Sequence, residues 1–270
     1  MSATSLDRIR AITRRDFRLR MSYPFELLSS LWGVAISVFM FYFIGRLVGD
    51  TTVLSGLEGG YFAFAVIGVT VMGLSFSILE VFRSSIQSEQ ANGTLELLLA
   101  SPTSLRTFMM GSLVVPMGFA GVEAVAYAVF GWILAPEVLG PSAWLRAVPV
   151  LLLVIGAFAA MGLWSAAFVV FAQRGDPVSG MFVQATNLLA GAVFPVAVLP
   201  DWLQTLARMV PTFYGFEALR GLMLADASWA SVLDEIAILA AFDIVLVAVG
   251  MWLLGRALRF ARVMGTLGTG

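Results

Sequence analysis

Two carboxylates stand inside otherwise uncharged stretches of this sequence: Glu123 within residues 107–136 and Asp243 within residues 236–255. An acid in the middle of a helix crossing hydrocarbon costs roughly 2.5–3.5 kcal/mol on insertion scales, so it faces protein or water. One reading gives these acids substrate or proton contact in a cavity. The other gives each a polar bond to Gln184, Asn187 or Arg220, or a proton held in place. Both readings stay open on the residues alone. Little else in the chain can do chemistry. There is no His and no Cys, which removes Ser–His and Cys–His nucleophiles, His-ligated metal sites and thiol redox chemistry. All 16 basic residues are Arg. A Walker A loop needs a Lys on the nucleotide phosphates, so any ATP this protein uses is hydrolysed on another chain. The net charge of −1 gives no basis for binding nucleic acid.

The elements that must hold these residues follow from composition. The chain is 60% hydrophobic and 12% charged, against roughly 25% charged for soluble domains. Such a chain is an all-α polytopic membrane protein. A β-barrel would alternate apolar and polar residues and look far less hydrophobic along its length. A bilayer core takes about 20 helical residues to cross. Six windows qualify: 27–45, 59–79, 107–136, 147–173, 177–200 and 236–255. They predict transmembrane helices over about 27–47, 59–81, 104–134, 147–173, 177–198 and 232–256. These form one domain, 25–260, between an N-terminal segment 1–24 and a flexible tail 261–270. With six spans, both termini share a side. That side carries 12 Arg and the other four, which makes the termini cytoplasmic.

Three segments are not plain spans. Residues 5–21 have helical periodicity, with Leu6, Ile9, Ile12 and Phe17 on one face and Arg8, Arg14, Arg15 and Arg18 on the other. They predict an interfacial helix whose arginines reach lipid headgroups. A basic tail that only sets topology is the plainer alternative. The cytoplasmic connection 83–102 exposes Leu95, Leu97, Leu98 and Leu99 after an Asn92-Gly93 turn signal. An apolar loop of this kind needs a cover, either the protein's own helices or a partner. The outer segment 200–224 has too many charges for a full span and too much Leu, Phe and Trp for a solvated loop. It predicts two short helices dipping into the outer leaflet and broken at Pro211, as an interfacial loop or as a lid over an exit path.

These segments carry a family resemblance. Glu89-x-x-x-Gly93-Thr94-Leu95-Glu96-x-Leu98-Leu99-x-Ser101-Pro102 resembles the cytoplasmic signature of ABC-2-type permeases, the membrane subunits of type-2 ABC exporters. The stretch from Phe194-Pro195 through Pro200-x-Trp202 to Pro211-Thr212-x-Tyr214-x-x-Glu217-Ala218-Leu219-Arg220 resembles the family's second signature, after the fifth helix. Where the family often has a basic residue beside the first acid, Ser88 and Gln90 flank Glu89, which removes a local salt bridge.

The resemblance implies a dimer of six-helix halves, either two copies or two different permeases, served by two separate ATPase subunits that bind ATP and Mg. It implies that 86–101 is a short coupling helix seated on the ATPase, with Glu89, Gly93, Thr94, Leu95, Glu96, Leu98 and Leu99 at the contact. It implies that 5–21 is a connecting helix. Phe194, Pro195, Pro200, Trp202, Pro211, Tyr214, Glu217 and Arg220 would belong to an outer gate of re-entrant helices, with Glu123, Asp243, Gln184 and Asn187 along the substrate path. The leading expectation is thus the permease of an ATP-driven exporter for an amphipathic drug, lipid or lipid-linked glycan. An ion-coupled transporter using Glu123 and Asp243, and a non-transporting membrane scaffold, are the competing classes.

Overall fold

The structure is a computed structural model and describes residues 5–22, 24–49, 59–91, 105–172 and 177–264. Among these residues it is built from helices, with no strand: α1 Ser5–Met21, α2 Pro24–Val48, α3 Gly60–Ala91, α4 Leu105–Leu134, α5 Pro141–Ala172, α6 Pro177–Leu189, α7 Asp201–Ala207, α8 Pro211–Leu224 and α9 Leu233–Met264, with 3-10 turns at Val196–Val198 and Trp229–Val232. Pro24, Pro141, Pro177 and Pro211 open four of the helices. At the first helical position proline's missing N–H costs nothing and its fixed φ suits the turn.

Five helices hold stretches long and apolar enough to cross a membrane: Leu27–Val48, Gly60–Leu79, Gly111–Leu134, Pro141–Phe171 and Trp229–Ala257. They are not equivalent. The α3 stretch is 78% buried inside the protein, whereas those on α2 and α9 are 11% buried. Helix α3 packs on α2, α4 and α5, and α5 packs in turn on α8 and α9. The core therefore runs along α3 and α5, around Ile67, Ile78, Phe158, Phe216 and Leu239. The outward faces of α2 and α9 show Trp32, Phe39, Phe43, Ile244, Val245 and Trp252. An apolar surface of that extent is untenable in water and is what hydrocarbon covers. This is a membrane protein.

Close helix approach is local. Gly250 on α9 faces Trp164 on α5, whose Nε1 donates to the Leu246 carbonyl at 3.0 Å. Gly111 on α4 faces Ile12 on α1, and the Thr13 hydroxyl reaches the Gly111 carbonyl at 3.4 Å.

The structure departs from the sequence reading in four places. The span expected over 177–198 is a helix of 13 residues that stops at Leu189. At 1.5 Å per residue it is about 20 Å long, short of a core about 30 Å thick. Five full-length candidate spans, not six, stand among the described residues. The reason is Gly191, whose φ of +72° turns the chain out of the helix. Second, α3 continues as helix to Ala91, so 83–91 prolongs the helix into the expected cytoplasmic connection; no Gly or Pro stands between Gly73 and Gly93. Third, α5 starts at Pro141, ahead of the expected 147. The partly buried Arg146 lies within its first turns, where a charge at a span end is readily solvated. Fourth, α9 runs to Met264, so 261–264 is helix and not tail. Its end is held where Phe260 meets Phe171 of α5, ring centroids 5.6 Å apart.

Candidate functional site

The break after α6 is closed by its own backbone and by two helices distant in sequence, α3 and α8. Beyond Leu189 the Gly191 N–H donates to the Leu188 carbonyl at 3.1 Å, and the Ala192 N–H to the Asn187 carbonyl at 3.0 Å. With Gly191 in the left-handed region, this is a Schellman closure, which satisfies orphan carbonyls at a helix end. Beyond the helix end stand the carbonyls of Gly191 and Ala192. Arg220 of α8 takes both: its Nη2 donates to each at 2.8 Å. The guanidinium is buried and lies over the Phe64 ring of α3, 3.5 Å from the centroid, with the Phe216 ring 5.0 Å away. Burial lowers its pKa while Glu217 pulls the other way; arginine starts so high that it stays a cation. Helix α3 comes close enough at Gly68 that an added Cβ would stand 1.6 Å from the Ala192 oxygen.

Irregular backbone at membrane depth survives only where protein or water covers it. Here Phe64, Gly68 and Arg220 supply the cover. Of these, Arg220 was expected at an outer gate. Phe64 and Gly68 were not singled out for this role, because nothing in sequence marks which face of α3 meets a segment more than a hundred residues away.

The other gate candidates form a tied outer segment. Phe194 is half-buried beside the break, and Pro195 leads into the 3-10 turn Val196–Val198. Pro200 precedes α7, and Trp202 stands 65% exposed on it. The Gln204 side chain donates to the Leu199 carbonyl at 2.8 Å. Pro211 is buried at the start of α8. The Tyr214 hydroxyl donates to the Arg208 carbonyl at 2.9 Å, while its ring stacks on Phe242 of α9, 6.2 Å between centroids. Glu217 is exposed and forms no ion pair with Arg220 one turn on. Across the same end of the protein, Arg146 of α5 pairs with Asp226 at 2.7 Å.

The two intramembrane acids are not brought together. Glu123 lies half-buried on α4, which packs on α1, α2 and α3. It is one turn before the buried Tyr127. Asp243 lies on α9, against α5, where Gly156 makes room for it: a Cβ there would stand 2.9 Å from the carboxylate Oδ2. Asp243 Oδ1 has no hydrogen-bond partner. The expected polar bonds from an acid to Gln184, Asn187 or Arg220 are not formed. Gln184 is exposed on α6. Asn187 is buried with neither amide atom partnered, and Arg220 is committed to backbone.

Of the residues expected at an ATPase contact, Glu89 lies on the helical end of α3. Gly93, Thr94, Leu95, Glu96, Leu98 and Leu99 lie outside the described residues. On α1, Arg8 is half-buried and Arg14, Arg15 and Arg18 are exposed, with Arg15 paired to Asp16 at 2.8 Å.

A bundle of apolar helices with a sealed break before a tied outer segment defines a membrane-embedded protein, and comparison places it further. Residues 7–224 match the model of the ABC-2 type transporter family, and the chain belongs to that family. Its members are transmembrane subunits without an ATPase site of their own, and they work with ABC ATPase subunits. The chain is similar to Nodulation protein J of Sinorhizobium fredii (strain NBRC 101917 / NGR234), 27% identical over 243 residues, 86% of this chain and 84% of that protein. It is also similar to Nodulation protein J of Rhizobium leguminosarum bv. trifolii, 28% identical over 221 residues, 79% of this chain and 80% of that protein.

Proposed function

We propose that this chain is the permease subunit of an ATP-driven exporter that carries an amphipathic drug, lipid or lipid-linked glycan outward across the cytoplasmic membrane. The observation that carries the reading is the family match over residues 7–224, in a chain without a single Lys for a nucleotide site of its own. Two ATPase subunits bind ATP and Mg, and two permease halves enclose the path. Both termini face the cytoplasm, and the short α6 with the segment after it completes a sixth crossing.

In this reading Glu89 and Glu96 flank the contact with the ATPase. ATP-driven closure of the ATPase pair moves the coupling segments. Helix α3 transmits the motion because it is one continuous helix from Gly60 to Ala91, packed on α2, α4 and α5. Helices α7 and α8 form the outer lid, anchored at the α6 break by Arg220. Nucleotide shifts access from inside to outside only as far as it binds the two states differently.

The experiment is a gentle pull-down of the tagged chain from its own membranes, with stoichiometry by mass spectrometry. The expected eluate holds a P-loop ATPase at one copy per permease, lost on Glu96→Arg. An eluate without any ATPase would sink the exporter reading. An ion-coupled carrier has one observation in its favour, the unpartnered Asp243 Oδ1. Transport abolished by a proton ionophore and indifferent to ATP would select it.

A further inference from the structure

A groove of about 740 Å³ runs between α1 and α4, inside the roughly 300–1,000 Å³ range of small-molecule sites. It is distinct from the α6 break and from the outer segment. Its walls are mostly apolar, with Phe17 from α1 and Val115, Phe119 and Val122 from α4, and Arg10 and Arg14 of α1 are among its lining residues. The two arginines are four residues apart, hence neighbours on one face of α1. Neither has an ion-pair or hydrogen-bond partner among the described residues. Arg15 by contrast is spent on Asp16, and Arg20 lies over the Phe119 ring at 4.6 Å. The floor is firm, because α1 is seated on α4 at Ile12 and Gly111.

We propose that this groove is a binding site for one phospholipid of the surrounding leaflet, its anionic headgroup on Arg10 and Arg14 and an acyl chain along Phe17, Val115 and Phe119. Charge complementarity selects this occupant. A greasy slot whose lining includes two arginines without an ion-pair or hydrogen-bond partner matches a molecule with a phosphate and a hydrocarbon tail. Guanidinium groups suit phosphate because their donors form a planar fork. The lipid then acts as a wedge between the connecting helix and the transmembrane bundle, which makes the complex depend on anionic lipid. This rests on reading α1 as lying at the cytoplasmic membrane interface.

The test is native mass spectrometry of the purified permease–ATPase complex titrated with phosphatidylglycerol or phosphatidylcholine. The wild type should bind phosphatidylglycerol about tenfold more tightly. Arg10→Gln with Arg14→Gln should bring the two lipids to near parity. Gly118→Phe fills the groove from a position whose Cβ meets nothing within 4 Å. It should weaken both lipids while the ATPase subunit stays bound. The proposal is overturned by equal binding of the two lipids to the wild type, or by a preference that survives loss of both arginines. It is likewise overturned if inorganic phosphate displaces the lipid, or if a photo-crosslinker at 118 captures a second copy or the ATPase instead. The reading beneath it is checked separately. Leu19 is exposed and outside the groove, and the chain has no native Cys. A spin label on Leu19→Cys that proves accessible to water-soluble reagents removes the interfacial placement itself.

Discussion

One nitrogen of Arg220 closes the end of α6 by holding the carbonyls of Gly191 and Ala192, each at 2.8 Å, across almost thirty residues of sequence. A buried cation is thus held without an ion pair, its Nη2 on two carbonyls while its Nε has no hydrogen-bond partner. Two backbone dipoles and the π face of Phe64 stand where a carboxylate would be expected. The contact ties the outer helix α8 to the point where the chain leaves helical geometry, so motion of one is felt by the other.

Removal of Arg220 should therefore destabilise the protein strongly. Each buried hydrogen bond to a charged donor contributes roughly 1.5–3 kcal/mol. Arg220→Leu should cost on the order of 3–5 kcal/mol, as two carbonyls are orphaned. Arg220→Lys should recover part of this, since an ammonium lacks the planar group that lies on Phe64. Thermal unfolding of the detergent-solubilised complex reads both. A melting temperature unchanged in Arg220→Leu would mean that water replaces the guanidinium.

Gly68→Ala should abolish accumulation of folded protein. The new Cβ would lie 1.6 Å from the Ala192 oxygen, and neither partner is a side chain that can swing away. Gly33→Ala is the control, because nothing lies within 4 Å of that position. Monodisperse yield from size-exclusion chromatography should separate the two variants clearly.

Asp243 and Gly156 should behave as a coupled pair. Gly156→Ala presses on the Asp243 carboxylate at 2.9 Å and should lower stability, and Asp243→Ala in the same chain should restore part of the loss. Contacting residues show coupling of about 0.5–3 kcal/mol in double-mutant cycles. Additive losses would mean that α9 already shifts to make room. Transport by Asp243→Asn, with ATP and with an ionophore, shows whether the acid also serves the cargo path.

The ion pair between Arg146 and Asp226 should matter little to stability. Arg146 is partly exposed, at 41%, and Asp226 well exposed, at 76%, and exposed pairs typically contribute about 0.2–1 kcal/mol. Asp226 also sits at φ +43°, a region where Asn and Gly are at ease. Asp226→Gly should therefore change the unfolding midpoint by little, the lost pair being offset by relieved backbone strain. A large drop would show that the link from α5 to the loop before α9 holds the outer face together.

Class was legible in the residues: an apolar fraction this high with so few charges leaves only helices in lipid, and charge-free windows locate them because a charge is costly in hydrocarbon. The signatures around Glu89–Pro102 and Phe194–Arg220 pointed to the family that residues 7–224 match. The break inside 177–198 was harder to see. The segment carries no charge, and Gly191 looks like any other glycine in a span.

What the amino-acid order determined alone is therefore one-dimensional: which stretches avoid water, where prolines start helices, and the absence of Lys, His and Cys that denies this chain a nucleotide site or nucleophile of the usual kinds. Hydropathy and propensity are local properties, so they survive without a fold. Tertiary structure alone decided that Arg220 seals α6, that Gly68 and Gly156 make room for Ala192 and Asp243, and that Glu123 and Asp243 lie in different helix packings. Those facts depend on which face of each helix meets which neighbour, and a buried polar group's partner is chosen by distance in space, to which residues far apart in sequence have equal access.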